Sequence, residues 1–520
     1  AVAEDHSDSN AEPLASLIAI SANAQTAPHT LQSGADFYST PRLSPDGNDL
    51  LWLQWNHPDM PWTRNELWYA PLNAPAKAKK LVAGDESIFQ PQFSPTGRIH
   101  YVSDRNNWWN LYEYRPAAPD RCLVPAEREC GLPQWQFGMS TWGFIAPDKI
   151  LAAYSANGTW SLYQLNLTTG KEHKIAADYN YLSHLATDPA SGRALIIAAS
   201  PQQPEHLCTV KTTSKTDADK TEKIRPLFTD HPPQSPVSQA QSITFAAANG
   251  TPVHGFFYPP HNAAYRAPPD DRPPLLVLCH GGPTAATNAA FNLAIQFWTS
   301  RGFAVTDINY RGSTGFGRAY RLSLDGHWGI YDVADACAAA EYCAAQGWVA
   351  RDKCIIRGSS AGGYTVLSAL CFHNTFAAGC SRYGIGDLKA LAADTHKFES
   401  RYTDRLIAPP TDTATYAARS PINHVEKFSC PTLFFQGLKD RVVPPEQSKK
   451  MATALKKAGF PVCLITYPDE AHGFRNAPNI THALNTELAF YGTVFGIKTD
   501  SPITNLKIAN LPTTRPKPAS

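Results

Sequence analysis

The sequence predicts two domains of different class, an all-β half followed by an α/β half with a mostly parallel sheet. First, 520 residues are too many for one ordinary hydrophobic core. Second, residues 1–236 carry short apolar and aromatic runs between turn residues, without a sustained helical period. Third, residues 237–497 alternate compact apolar runs with helical stretches. We expect residues 498–520, rich in Pro, Thr and Lys, to form a flexible tail.

A weak repeat runs through the first half. A turn containing Pro with Asp or Gly precedes an apolar strand, and a second strand follows. The turns are Leu43–Gly47, Phe93–Gly97, Ile145–Asp148 and Thr187–Pro189. The period is close to that of a propeller blade, about 40–50 residues. The repeat therefore predicts a β-propeller, with a β-sandwich that shares turn sequences by chance as the alternative.

Compact apolar runs in the second half predict its strands. They are 275–278, 304–308, 354–356, 433–435 and 462–467. Helical stretches lie between them, for example 332–346 and 445–458. This alternation predicts a mostly parallel sheet with helices on both faces.

Charge and hydropathy exclude several classes of partner. The formal net charge is +1 and no dense Lys/Arg run occurs, so we expect no nucleic acid or anionic membrane as partner. No apolar run is long enough to span a bilayer, and no signal peptide is visible. These observations favour the cytoplasm.

The eleven cysteines lie mostly inside apolar runs, which is typical of buried side chains in a reducing compartment. Cys122 and Cys130 could still pair across a loop. No metal-ligand spacing such as CxxC or HExxH occurs. We therefore expect neither a metal nor a cofactor.

A nucleophile elbow is predicted at Gly358-Ser359-Ser360-Ala361-Gly362. This stretch follows the strand 354–356 and precedes a helical run over 364–370. A strand–turn–helix setting lifts a serine hydroxyl out at the carboxyl edge of an α/β-hydrolase sheet. Ser360 is centred between the glycines and is the predicted nucleophile, with Ser359 as its rival.

A serine nucleophile needs a base and an orienting carboxylate, which follow it along the chain in this fold. Asp440 lies in the loop after the strand 433–435, and His472 lies in the loop after the strand 462–467. Both should reach the sheet edge that carries Ser360. Rivals are Asp469, which is too close in sequence to His472, and three histidines that do not follow a core strand: His373, His396 and His424.

An oxyanion needs backbone N–H donors. The stretch Cys279-His280-Gly281-Gly282-Pro283 follows the strand 275–278, where this fold places one donor. We predict the N–H groups of Ala361 and Gly281 as the oxyanion hole. His280 is interpreted as a structural or pocket-wall residue.

These motifs together resemble the prolyl oligopeptidase family, and within it the acylaminoacyl-peptidase and dipeptidyl-aminopeptidase-like branch. The resemblance extends into the first half of the chain. It rests on His280–Pro283, Asn309–Ser313, Gly358–Gly363, Asp440, His472, Gln90–Pro95, Val102–Arg105 and Trp108–Tyr112. It implies a propeller that caps a hydrolase domain, and short peptides as substrates.

The segment Phe398-Glu399-Ser400-Arg401-Tyr402 resembles one in dipeptidyl peptidases whose two aromatics wall the S1 pocket. The resemblance implies an apolar S1 pocket formed by Phe398 and Tyr402 and completed by Val443. Ordinary core aromatics are the alternative.

The chain departs from the family in two respects. Family propellers usually have seven or eight blades, whereas we count about four complete units and a partial one at 1–21. We therefore expect a partial propeller of four to five blades that lacks about 100–130 N-terminal residues. Val442 stands where dipeptidyl peptidases carry a polar side chain, and only Glu4-Asp5 resembles a paired-acid element for the substrate amine. Both features argue against a dipeptidyl activity.

The predicted function is that of a serine peptidase. It would hydrolyse short peptides or acyl-aminoacyl substrates through a Ser-Asp-His triad and an acyl-enzyme. An esterase or amidase acting on small acylated compounds would use the same residues. A non-catalytic propeller scaffold is the remaining alternative, and the intact motifs argue against it. Whether the chain forms a homo-oligomer stays open.

Overall fold

The computed structural model describes residues 1–8, 12–23, 25–175, 178–211, 221–226, 237–393 and 395–512. Only the backbone is described for 211 and 221–226. The chain forms two compact units. The first contains Ala1–Pro232, Asn288–Phe291 and Thr314–Leu322, and the second contains the remaining residues. Residue 236, on which the predicted domain boundary falls, and residues 513–520 of the predicted tail lie outside the described residues.

Five antiparallel sheets follow one another in the described part of the first unit. One has three strands and the others have four. In chain order they are Val2–Asp5, Leu14–Ala19 and His29–Ser33; Phe37–Leu43, Asp49–Trp55, Glu66–Pro71 and Lys79–Val82; Ile88–Phe93, Ile99–Ser103, Asn110–Glu113 and Arg121–Cys122; Trp142–Ala146, Lys149–Ala156, Thr159–Asn166 and Glu172–Lys174; Tyr181–Asp188, Arg193–Ala199, His206–Lys211 and Thr221–Pro226. The described part of the first half is therefore all-β, as predicted, apart from a short 3-10 turn at Pro75–Lys77.

The repeated turns join the first and second strands of successive sheets. In two of them the N–H of a glycine closes the turn on a serine carbonyl, Gly47 on Ser44 and Gly97 on Ser94, each at 2.9 Å. Both glycines have positive φ, 76° and 82°. The repeat in the sequence thus marks one particular hairpin of each sheet.

Buried apolar clusters join consecutive sheets of the first unit. Leu17 packs with Tyr38 and Trp52. Leu51, Leu53 and Leu67 pack with side chains of the next sheet, which are Ile88, Tyr101 and Tyr112. Because each sheet is apolar on its faces, neighbouring sheets bury one another.

A charged cluster lies inside the first unit and includes residues of the segment Thr314–Leu322. The Arg321 guanidinium is fully buried, bonded to Asp104 and 3.7 Å from Glu129. Glu129 also accepts the N–H groups of Gly315 and Gly317, at 2.7 and 3.0 Å. Buried charges need such partners, so these contacts tie this segment to the first unit.

An eight-stranded mixed sheet forms the centre of the second unit. Its spatial order is Gln241–Ala246, Pro252–Tyr258, Ala304–Asn309, Leu275–Cys279, Cys354–Ser359, Ala378–Arg382, Thr432–Gly437 and Val462–Tyr467. The first two neighbouring pairs are antiparallel and the remaining five are parallel. Every residue of the strands Ala304–Asn309 and Thr432–Gly437 is buried. Strands buried on both faces are rich in apolar residues, as at Leu433–Phe435, and sequence reasoning located this strand by that run.

Helices follow most of these strands. They are Leu293–Thr299, Tyr331–Ala345, Ala361–Phe372, Leu388–Ala393, Tyr402–Leu406, Thr413–Arg419, Glu446–Lys457 and Ala477–Phe495, with 3-10 turns at Arg351–Lys353, Lys397–Glu399 and Pro421–Lys427; Arg318–Leu322 is a short helix of the first unit. The predicted helices over 332–346 and 445–458 are present to within a residue.

Two further expectations concern cysteines and membranes. Cys122 and Cys130 form no disulfide. Across the described ranges, no helix combines the length and the apolarity that crossing a membrane requires.

We expect Gly97→Ala to lower the free energy of unfolding by about 1–2 kcal/mol, because an alanine pays that cost in the left-handed region. A Cβ at this site would meet nothing within 4 Å, so the effect comes from the backbone alone. Gly97→Asn is the matched control and should cost less, since Asn tolerates positive φ. Denaturant unfolding followed by tryptophan fluorescence measures both, and equal losses would contradict the backbone explanation.

Candidate active site

Ser360 stands at the junction of the strand Cys354–Ser359 and the helix Ala361–Phe372. Its backbone has φ 55° and ψ −122°, a region that costs a non-glycine residue about 1–3 kcal/mol. The Ser360 N–H donates to the Arg382 carbonyl at 3.0 Å, and its carbonyl accepts from the Tyr364 N–H at 3.1 Å. The rival Ser359 is the last residue of the strand and pairs with Arg382.

The flanking glycines permit this turn. A Cβ on Gly358 would lie 2.2 Å from the Gly362 carbonyl oxygen, and a Cβ on Gly362 would lie 2.2 Å from the Cys279 carbonyl oxygen. Real Cβ atoms do not approach so closely, so no other residue fits either position. The GxSxG spacing thus follows from close packing of turn, helix and strand.

A chain of polar contacts connects Ser360, His472 and Asp440. Ser360 Oγ lies 3.0 Å from His472 Nε2, and His472 Nδ1 lies 2.8 Å from Asp440 Oδ2. The Asp440 side chain is fully buried, whereas the His472 side chain is 25% exposed. In such an arrangement the imidazole can accept the serine proton while the carboxylate holds its tautomer.

Backbone N–H groups fix the orientation of Asp440. Its Oδ1 accepts from the N–H groups of Val442 and Val443, each at 2.9 Å. Gln436 Nε2 lies 3.4 Å from Oδ2, and the Ser448 hydroxyl donates to Gln436 Oε1 at 2.8 Å. Asp440 Oδ2 is thereby aimed at His472.

The loops of Asp440 and His472 meet at Gly437, where a Cβ would lie 2.5 Å from the Ala471 carbonyl oxygen. Glu470 holds the His472 loop, because its carboxylate accepts the N–H groups of Arg475 and Asn476 at 3.0 Å. Sequence reasoning missed both roles, although Gly437 precedes Asp440 by three residues and Glu470 precedes His472 by two.

The rival acid Asp469 is bonded elsewhere. Its two carboxylate oxygens accept from the side-chain amides of Asn476 and Asn479, at 2.8 and 3.1 Å. The contact to His472 Nδ1 comes from Asp440 instead. The structure thus separates these two acids by their partners.

The predicted oxyanion donors flank Ser360. Ala361 begins the helix, where an N–H has no partner in the preceding turn. A Cβ on Gly281 would lie 3.1 Å from the Ser359 carbonyl oxygen and 3.5 Å from Ser360 Cβ, so the Gly281 backbone abuts the turn. Both backbones therefore lie beside the serine.

His280 is held by neighbours on both ring nitrogens. Nε2 lies 2.8 Å from Ser313 Oγ and Nδ1 lies 2.8 Å from the Gly281 carbonyl oxygen, while the ring stacks on Tyr310. Burial lowers the pKa of His280 to about 4, against the opposing effect of the Gly281 carbonyl. This environment suits a neutral structural residue, as predicted, rather than a second base.

A cavity opens beside Ser360 and is mainly apolar. Its lining includes Pro283, Trp328, Ile385, Leu391, Tyr402, Val442, Val443 and one carboxylate, Glu399. The Tyr402 hydroxyl is fixed by Thr284, at 2.5 Å from its Oγ1 and 3.2 Å from its N–H. Of the three predicted S1 residues, Tyr402 and Val443 line this cavity, and Phe398 is not among the described residues that do.

Sequence reasoning missed several members of this wall, among them Trp328, Leu391 and Glu399. Glu399 is the one that stands next to a predicted pocket residue. It lies within the quoted segment between Phe398 and Tyr402. Its position in the sequence could have indicated the pocket, but which side chains of a short irregular segment point inward depends on its fold.

The sequence profile of the prolyl oligopeptidase family matches residues 289–498. A solved puromycin-hydrolyzing peptidase of Mycobacterium tuberculosis is 34% identical and aligns over 94% of this chain and 75% of its own, with a TM-score of 0.90. Dipeptidyl aminopeptidase BIII of Pseudoxanthomonas mexicana is 32% identical over 213 residues, 40% of this chain and 31% of that protein. Acylamino-acid-releasing enzyme 1 of Oryza sativa subsp. japonica is 29% identical over 211 residues, 38% and 27% of the two chains.

The fraction of each relative's length that aligns with this chain differs between the comparisons. The match spans less than a third of the length of both curated relatives. The solved structure is matched over three quarters of its length, and the alignment covers 94% of this chain, so that it includes both the all-β half and the α/β half. The fold class predicted from the sequence is thereby confirmed.

We expect the His280 ring to stay neutral from about pH 8 to about pH 5, because protonation would place a charge in a buried site. NMR of the protein with ¹⁵N-labelled histidine follows each imidazole, and His280→Asn assigns the signal. A protonation step of that signal at its ordinary value near 6.5 would contradict this account of the site.

Proposed function

Because the chain belongs to the prolyl oligopeptidase family, we propose that it is a serine peptidase that hydrolyses short peptides or acyl-aminoacyl substrates. Ser360 is the nucleophile, His472 the base and Asp440 the residue that orients it. The observation that supports this most directly is the pair of contacts at His472, 3.0 Å to Ser360 Oγ and 2.8 Å to Asp440 Oδ2.

The reaction follows from these positions. Ser360 Oγ attacks the scissile carbonyl carbon while His472 Nε2 takes its proton. The N–H groups of Gly281 and Ala361 stabilise the oxyanion. His472 then gives the proton to the leaving nitrogen, and the C–N bond breaks to leave an acyl ester on Ser360. Water, activated by the same imidazole, hydrolyses that ester and regenerates the enzyme.

The names of the relatives favour amide substrates over esters. A puromycin-hydrolyzing peptidase, a dipeptidyl aminopeptidase and an acylamino-acid-releasing enzyme are all similar to this chain. The catalytic residues themselves do not discriminate, since amides and esters share the acyl-enzyme route. Comparing the turnover of matched peptide-amide and short-ester substrates separates a peptidase from an esterase.

The apolar part of the cavity fits the side chain of the residue before the scissile bond. Trp328, Ile385, Leu391 and Val443 would bury such a side chain, and each buried methylene contributes about 0.8 kcal/mol. We therefore assign this cavity as the S1 pocket, with Tyr402 as its fixed aromatic wall.

Replacing Ser360 by alanine should abolish covalent labelling by a fluorophosphonate probe together with peptide turnover, because the hydroxyl at His472 Nε2 is that of Ser360. Ser359→Ala is the matched control and should label like the unmodified protein. In-gel fluorescence measures labelling and circular dichroism checks the fold. Undiminished labelling of Ser360→Ala would refute the assignment of the nucleophile.

Peptide amides with Leu or Phe before the scissile bond should react faster than those with Asp by about 10-fold or more. Burying an apolar side chain is favourable, whereas burying another carboxylate beside Glu399 is costly. The ratio of kcat/KM values in one substrate series measures the preference. A faster reaction of the Asp substrate would be incompatible with the assigned S1 pocket.

A further inference from the structure

We propose that Tyr402 is a positioning residue for the oxyanion hole. Its hydroxyl holds the loop that carries Gly281, while the residue also forms part of the S1 wall. Removing the hydroxyl alone would then slow turnover without emptying the pocket. This inference rests on the proposed function, because it takes Ser360 as the nucleophile and the Gly281 N–H as an oxyanion donor.

The contacts of the Tyr402 hydroxyl are the first support. It accepts from the Thr284 N–H at 3.2 Å and lies 2.5 Å from Thr284 Oγ1. Both side chains are buried. Burial raises the pKa of the Tyr402 phenol, so that the group stays a neutral hydroxyl. Such a hydroxyl can accept from the N–H and donate to Oγ1 at the same time.

An apolar pocket wall does not itself need a hydroxyl. Tyr402 lines the cavity together with Leu391 and Val443, and a phenylalanine ring would offer a substrate side chain the same apolar surface. A buried hydroxyl costs free energy unless it is hydrogen-bonded, and here Thr284 provides the partner atoms. The hydroxyl is therefore explained by what it does for the loop of Thr284.

Tight packing connects Thr284 to Gly281. A Cβ on Gly282 would lie 2.9 Å from the Thr284 backbone nitrogen and 3.2 Å from Ala285 Cβ, so the two sides of this turn are in contact. Gly281 in turn abuts the Ser359 carbonyl oxygen, to which its own Cβ would lie 3.1 Å. Because so little space separates these groups, a displacement of Thr284 moves the backbone that carries the Gly281 N–H.

A second tyrosine holds the same loop through its carbonyl groups. The Tyr310 hydroxyl donates to the His280 carbonyl at 3.0 Å and lies 3.3 Å from the Pro283 carbonyl oxygen. These contacts do not involve Tyr402. The loop should therefore stay folded when the Tyr402 hydroxyl is removed, but the placement of Gly281 should become less exact.

The expected effect follows from when an oxyanion donor acts. Its hydrogen bond strengthens in the transition state, so misplacing it lowers kcat more than it changes KM. Removing a whole donor costs about 10²- to 10³-fold in kcat, and a loosened one should cost less. We expect Tyr402→Phe to lower kcat by about 10- to 100-fold while KM changes little.

The test measures kcat and KM for a peptide p-nitroanilide with Leu before the scissile bond. Titration with a fluorophosphonate probe counts the reactive Ser360 in each preparation, so misfolded protein does not lower the measured kcat. The rate constant of labelling needs no peptide and should fall in parallel, because the phosphoryl oxygen occupies the oxyanion hole. Tyr416→Phe is the matched control and should keep both rates, since this buried hydroxyl of the same unit donates to the Ala408 carbonyl, at 3.1 Å.

Thr284→Val removes the partner hydroxyl and should lower kcat in the same direction, which tests the contact from its other side. If one contact accounts for both losses, the double variant loses less than the product of the two single losses. Absence of labelling in the unmodified protein would overturn the proposed function. With labelling present, the role of Tyr402 alone is overturned by unchanged rates in Tyr402→Phe, by a loss confined to KM, by an equal loss in Tyr416→Phe, or by single losses that multiply in the double variant.

Discussion

The candidate site depends on one close backbone contact, between the turn that carries Ser360 and the end of the neighbouring strand Leu275–Cys279. Gly362 packs so tightly against the Cys279 carbonyl that no side chain fits between them. This contact holds Ser360 in an unfavourable backbone conformation, at a cost of about 1–3 kcal/mol. The neighbouring strand Ala378–Arg382, which is buried throughout, helps to offset that cost. The serine oxygen and the Gly281 backbone are therefore positioned by the same packing.

Hydrogen bonds between buried polar groups connect the Ser360 turn to neighbouring parts of the site. Arg382, whose carbonyl binds the Ser360 N–H, donates through Nη2 to Glu487 of the last helix at 2.6 Å. The Tyr491 hydroxyl donates to the same carboxylate at 2.9 Å. On the other side of the site, the Gln436 side-chain amide contacts the Asp440 carboxylate in the same way. Moving one member of a buried pair away would leave the other charge without a partner, which is costly. These contacts therefore favour a single arrangement of the loops.

Sequence reasoning succeeded where the determining pattern was local. Consecutive residues determine three of the predicted features, namely the strand 354–356, the GxSxG turn and the SPxG hairpins. The strand Ala378–Arg382 was missed because Ala-Gly-Cys-Ser-Arg contains no apolar run, although the fold buries all of it. The inclusion of 314–322 in the first unit depends on carboxylates about 200 residues away in sequence, such as Asp104 and Glu129. Contacts of that range leave no periodic signal in the chain.

Two carboxylates near Ser360 illustrate how surroundings assign different roles to one chemical group. Asp440 is fully buried, receives two backbone N–H groups and contacts His472 at 2.8 Å, so its charge is satisfied before any substrate arrives. Glu399 lines the cavity, and its one ion-pair contact among the described residues is to a half-exposed histidine, His396, at 3.5 Å. The first can orient a base but has little left to offer a ligand. The second has a looser partner at a half-exposed position, so the same chemical group is less constrained there by its surroundings.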